Sequence, residues 1–78
     1  MSKSLHSERH QKLTELLLAR RKASGMTQAD VARAMGRHQP FIANIEKGER
    51  RVDLIELLEM SEIVGFDVHE LIDELKSA

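Results

Sequence analysis

Three times in this chain an N-capping side chain stands three residues ahead of an acidic one: Thr27 before Asp30, Asp53 before Glu56, and Asp67 before Glu70. In that arrangement each side chain can accept an N–H that the first turn of a helix cannot satisfy internally, so the pattern marks helix starts. Each cap is bracketed by apolar residues at staple spacing: Met26 with Val31, Val52 with Leu57, and Phe66 with Leu71. Glycines at 25, 36, 48 and 65 supply stops, since glycine takes the left-handed conformation that ends a helix. The chain is therefore a string of short helices on short loops.

The spacing fills in the rest. Leu13, Leu16, Leu17 and Arg20/Arg21 predict a first amphipathic helix over about 7–23. The Thr27 signal predicts a second over about 28–35. A third, over about 39–47, carries Phe41, Ile42 and Ile45 at helical spacing. Its start is open: Pro40 suits a first helical turn and pushes Gln39 toward extended geometry, which makes Gln39 the N-cap, while His38 in that role is a poor one. Leu54, Ile55, Leu57, Leu58, Ile63 and Val64 give a fourth helix a wide apolar face, which makes it the best-buried candidate. Val68, Leu71, Ile72 and Leu75 line one side of a fifth. The fold class is all-α, a compact five-helix domain.

At 78 residues the chain is expected to be one domain around one small core, with residues 1–6 as a flexible lead. Only Phe41 and Phe66 are aromatic, so the core must come from aliphatic side chains and Met. Without cysteine there is neither a disulfide framework nor a thiolate metal site, which fits a cytoplasmic home. The longest apolar run, Leu16 to Ala19, falls far short of the roughly 20 residues of a membrane span, and no signal-peptide segment opens the chain. Charge is split: residues 1–52 hold 11 Lys/Arg against 5 Asp/Glu, whereas residues 53–78 hold 1 against 8. A basic half is the electrostatic footprint of a phosphate-bearing partner, although solvated charges clustered by chance look the same.

The second and third helices are separated by only about three residues beginning at a glycine, which makes them cross steeply rather than lie antiparallel. Within a twenty-residue frame, Gln28, Ala32, Gly36, Ile42 and Ile45 take the first, fifth, ninth, fifteenth and eighteenth places. Ala32 must be small where the third helix passes over it, Gly36 supplies a positive φ, and the two isoleucines face inward. This stretch, MTQADVARAMGRHQPFIANIEKGERR, resembles the helix-turn-helix of the phage repressor and Cro-like (Xre-type) family, about 27–47 here, within a similarity over roughly 13–75.

The resemblance implies a repressor-like, sequence-specific double-stranded DNA-binding transcriptional regulator, bacterial or phage-encoded, nucleoid-associated when bound and without a cofactor. By it, Gln28 meets a phosphate, while Gln39, Pro40, Ala43 and Asn44 face base edges. Pro40 and Ala43 offer only apolar contact, and Gln39 and Asn44 carry amides that can pair bidentately with adenine. Arg21 is expected to bridge to Glu46, the alternative being two independent surface charges. Lys47, Arg50 and Arg51 follow the third helix in a loop expected along the DNA backbone, and His38 is placed with the phosphate-binding residues. Arg37 departs from the family pattern, which has an apolar residue there, and its guanidinium is expected on phosphate or a guanine. Phe41 is a second departure, read as core packing.

Other chemistry is thinly represented. His6 and His10 share a helical face but lack a third ligand, so no metal site is expected. Asp and Glu occur at caps and on polar faces, with no nucleophile, base and orienter together, so no enzyme is expected. The apolar surplus of the last two helices implies a homodimer through the acidic C-terminal part, and hence a pseudo-palindromic operator. Ordinary core packing is the alternative for that surplus. A different function on the same fold is a protein-interaction module, an antitoxin or a bridging factor, with a protein partner on the acidic face.

Overall fold

A computed structural model describes residues 7–78 as five helices: α1 (Glu8–Ser24), α2 (Gln28–Ala34), α3 (Gln39–Glu46), α4 (Leu54–Val64) and α5 (Val68–Lys76). There is no strand among the described residues. Residues 1–6, expected as a flexible lead and containing His6, lie outside the described residues.

Local chemistry places the helix starts. Ser7 caps α1 by accepting the His10 N–H. At α2 the Asp30 N–H donates to Thr27 Oγ1 at 3.0 Å and the Thr27 N–H donates to an Asp30 carboxylate oxygen at 2.9 Å. The backbone bond from Thr27, aided by its hydroxyl, holds the Asp30 carboxyl below its ordinary range. Asp53 and Glu56 repeat the exchange at α4, at 2.8 and 3.1 Å. The third expected box does not close: Asp67 accepts from the His69 N–H at 2.8 Å, one residue earlier than Glu70. The reason lies in the backbone, since ψ at Asp67 is 116° where the two complete boxes have 167° and 171°.

The open question at α3 also resolves. His38 is the N-cap, in extended geometry and without a side-chain bond, and Gln39 belongs to the helix. Pro40 is tolerated there because its missing N–H would have been an orphan of the first turn in any case. Gly36 has φ +72°, and with it the Arg37 N–H reaches back to the Ala32 carbonyl at 2.8 Å. A side chain at 36 would find open space but an unfavourable backbone.

All five helices contribute to one core: Leu17, Val31, Ala32, Ile42, Ile45, Leu57, Met60 and Leu71. Ala32 is wholly buried where α2 and α3 pack, which explains why it is small. The fourth helix, expected to be the best buried, carries the most buried residues of the described helices, Glu56, Leu57, Met60 and Ser61, but does not bury its whole apolar stripe. Leu57 and Met60 point inward, but Leu54 and Ile55 are 64% and 63% exposed. Its first turn instead buries the Glu56 carboxylate, so the apolar stripe beside it faces out. No helix among the described residues is long and apolar enough to cross a membrane.

Candidate nucleic-acid interface

Helix α3 carries Ile42 and Ile45 on its buried side. The opposite side leaves Gln39 and Pro40 exposed and Ala43 and Asn44 half-buried. These four line an open groove between α3 and α1, whose walls also include Leu18, Lys22, Gln28 and Lys47. The geometry thus brings together the four residues expected at base edges. Lys22, in the last turn of α1, was not singled out from the sequence. Its signal was only its membership of the basic half of the chain.

At the back of this groove lies an ion pair. Arg21 donates through Nε to one Glu46 oxygen at 2.7 Å and through a terminal nitrogen to the other at 3.0 Å. Its remaining terminal nitrogen reaches the Met26 carbonyl at 2.9 Å. The side chains are only 12% and 7% exposed. Hydrogen bonding to Glu46 raises the Arg21 pKa above its ordinary value, so the arginine stays charged against the Glu46 carboxylate.

That anion orders two amides. Carboxylate oxygens only accept, so Gln28 must turn its NH2 group toward Glu46, which it does at 2.7 Å. Gln28 then presents its carbonyl oxygen outward, and Gln39 Nε2 donates to it at 2.6 Å. Gln28, expected on a phosphate, therefore keeps one N–H for an outside partner. Gln39 keeps its carbonyl oxygen and its second N–H.

A second buried carboxylate sits on the other flank of α3. Glu56 accepts from two Arg50 nitrogens at 3.0 and 3.1 Å and, more loosely, from Arg37 at 3.4 Å. It also closes the Asp53 cap. The Arg50 bonds, foremost, outweigh burial and hold the Glu56 carboxyl below its ordinary range. Both guanidiniums lie over the Phe41 ring, 4.2 Å from its centroid for Arg37 and 4.5 Å for Arg50. Arg37 and Arg50, expected on phosphate, here meet a carboxylate and a ring of their own chain. Phe41, expected at an outward or half-buried place in a core-packing role, is half-buried and packs against the core. Glu56 read from the sequence as a cap alone.

Lys47 and Arg51 are exposed and have no carboxylate within ion-pair distance among the described residues. His38 is exposed at the α3 N-cap. His10 is buried, with Nε2 3.2 Å from the Gly48 carbonyl, so it ties α1 to the loop after α3. Among the described residues no group of His, Asp or Glu side chains is placed to hold a metal.

A helix-turn-helix family model matches residues 17–71. The whole fold superposes with a TM-score of 0.84 on an XRE-family-like protein from Pseudomonas syringae pv. tomato strain DC3000, 39% identical, covering 92% of this chain and 88% of that one. A mutant of the restriction-modification controller protein C.Esp1396I shares the fold at 22% identity and a TM-score of 0.79, covering 91% of this chain and 90% of that one. Comparison with curated protein sequences gives no match. The chain belongs to the helix-turn-helix family, and within it to the XRE type.

Proposed function

We propose that this protein is a DNA-binding transcription regulator, a repressor without enzymatic activity, that lays α3 in the major groove of a specific duplex site. The observation that carries the reading is the amide order at Gln39. With one N–H given to Gln28, the oxygen and second N–H that remain form the pair that adenine takes at N6 and N7. Asn44, one turn further along the same groove, is the second reader, and Pro40 and Ala43 offer apolar contact of the kind a thymine methyl accepts.

Lys47 and Arg51, without an ion-pair partner among the described residues, neutralise phosphates, with Gln28 and His38 as hydrogen-bonding company. These contacts give affinity without sequence information. The protein acts as a homodimer, a reading supported by the exposed Leu54, Ile55, Leu58 and Ile72 on α4 and α5. A dimer would set two copies of α3 about 34 Å apart and call for a pseudo-palindromic site.

Selection from a pool of random duplexes tests the reading. A pseudo-palindromic consensus is expected. A pool that gains no consensus, with the protein folded, would favour a protein-interaction module on the same fold, with its partner on the acidic C-terminal face.

A further inference from the structure

Helix α3 is a weak helix on its own. It has eight residues and no side-chain cap at its start, so its seat must come from outside. Ile42 and Ile45 hold its inner side against the core. The other hold is the polar cluster at Phe41. Arg37 lies in the turn before α3, Phe41 in its first turn, Arg50 in the loop after it, and Glu56 in the first turn of α4. The two guanidiniums that lie over Phe41 therefore grip α3 from both of its ends and fasten it to α4 through one carboxylate.

We propose that Arg37, Phe41, Arg50 and Glu56 form a positioning unit for base reading, and that both arginines stay on Glu56 when the protein is on DNA. The inference rests on the DNA-binding reading above. Glu56 is a buried carboxylate, its side chain 10% exposed. Stripping it of its cations would leave an uncompensated buried charge, which is strongly penalised. The arginines therefore act through Phe41, by fixing the pitch at which Gln39 and Asn44 meet the base edges. Misplacement of a reading side chain costs discrimination without touching the charge that binds any duplex.

The test compares wild type, Phe41→Leu, Arg37→Gln and Arg51→Ala on a selected site and on an unrelated duplex across a salt series. Phe41→Leu and Arg37→Gln should each lower the ratio of the two affinities by roughly 10-fold, with binding to the unrelated duplex and the salt slope unchanged. Arg51→Ala should weaken both duplexes alike and reduce the slope by about 0.9. In parallel, the Nε–H resonances of Arg37 and Arg50 should show the upfield ring-current shift of Phe41 in the free protein, lose it in Phe41→Leu, and keep it when DNA is added. If Arg37→Gln behaved like Arg51→Ala, Arg37 would be a phosphate contact and the proposal overturned. An unchanged affinity ratio in Arg37→Gln, a variant at an exposed turn, would overturn it too, even if Phe41→Leu failed to fold. Wild type that does not discriminate between the duplexes would instead overturn the DNA-reading function itself.

Discussion

Two carboxylates, one in the last turn of α3 and one beside it in α4, do opposite things. Glu46, inside α3, is paired with one arginine and passes its polarity outward through Gln28 to Gln39. Glu56, outside α3, gathers two arginines and a ring inward. The first cluster ends in free hydrogen-bonding groups on the groove, and the second consumes most of its charge internally. Formal positive charge alone does not tell these cations apart: Arg37 and Arg50 each meet the Glu56 carboxylate, whereas Arg51 has no carboxylate within ion-pair distance among the described residues. The useful question for each cation is which anion its own chain offers it.

The difference in burial should appear first in stability. Arg21→Ala leaves Glu46 buried without its partner, which is expected to destabilise the fold by about 3–5 kcal/mol, read from thermal or urea unfolding. A loss no larger than that of an exposed ion pair would mean that the Glu46 side is not the structural anchor. Next in size is base reading. Gln39→Ala and Asn44→Ala should each cost roughly 1–3 kcal/mol of preference for the correct base, measured with duplexes changed one base pair at a time. Their binding to unrelated duplexes should barely move.

Glu56→Gln should cost less, about 1–2 kcal/mol, because its arginine partners are 45% and 38% exposed and solvent screens the pairs. Its pH dependence is more telling than its size. The folded-state pKa of Glu56 lies below its ordinary value of 4.5. Its contribution is therefore fully present above that value and is lost as pH falls through the lowered one. Wild type should lose this increment on acidification and Glu56→Gln should not, so the two unfolding curves converge in acid. Parallel curves would show that the carboxylate is not what holds the arginines. The smallest effect is expected at Arg51→Ala: fold and base preference kept, with only the salt dependence flattened.

Much of this arrangement is legible before any coordinates. The Thr27 and Asp53 boxes announce themselves because capping is local chemistry between residues three apart. Gly36 and Ala32 follow from steric demands of a tight helical crossing. The Arg21–Glu46 contact spans 25 positions and is reachable only through the family resemblance. What stays hidden has a common cause. Glu56 reads as a cap because its cap partner Asp53 is near in sequence, while Arg37 is 19 positions away and arrives only once the loop after α3 folds back. Phe41 reads as core because periodicity cannot say that two guanidiniums will cover it. Leu54 and Ile55 show the same limit in reverse: a wide apolar stripe on a helix states how much could be buried, not how much a core this small has room for.

On the proposed function, α3 meets bases through the Gln39 amide, whose orientation Gln28 and Glu46 set from behind. The most direct measurement is the consensus selected from random duplexes by wild type and by Gln39→Ala. The variant is expected to lose identity at one adenine-bearing position in each half-site and to keep the rest of the pattern. An unchanged consensus, or a folded variant whose whole pattern dissolves, would contradict it.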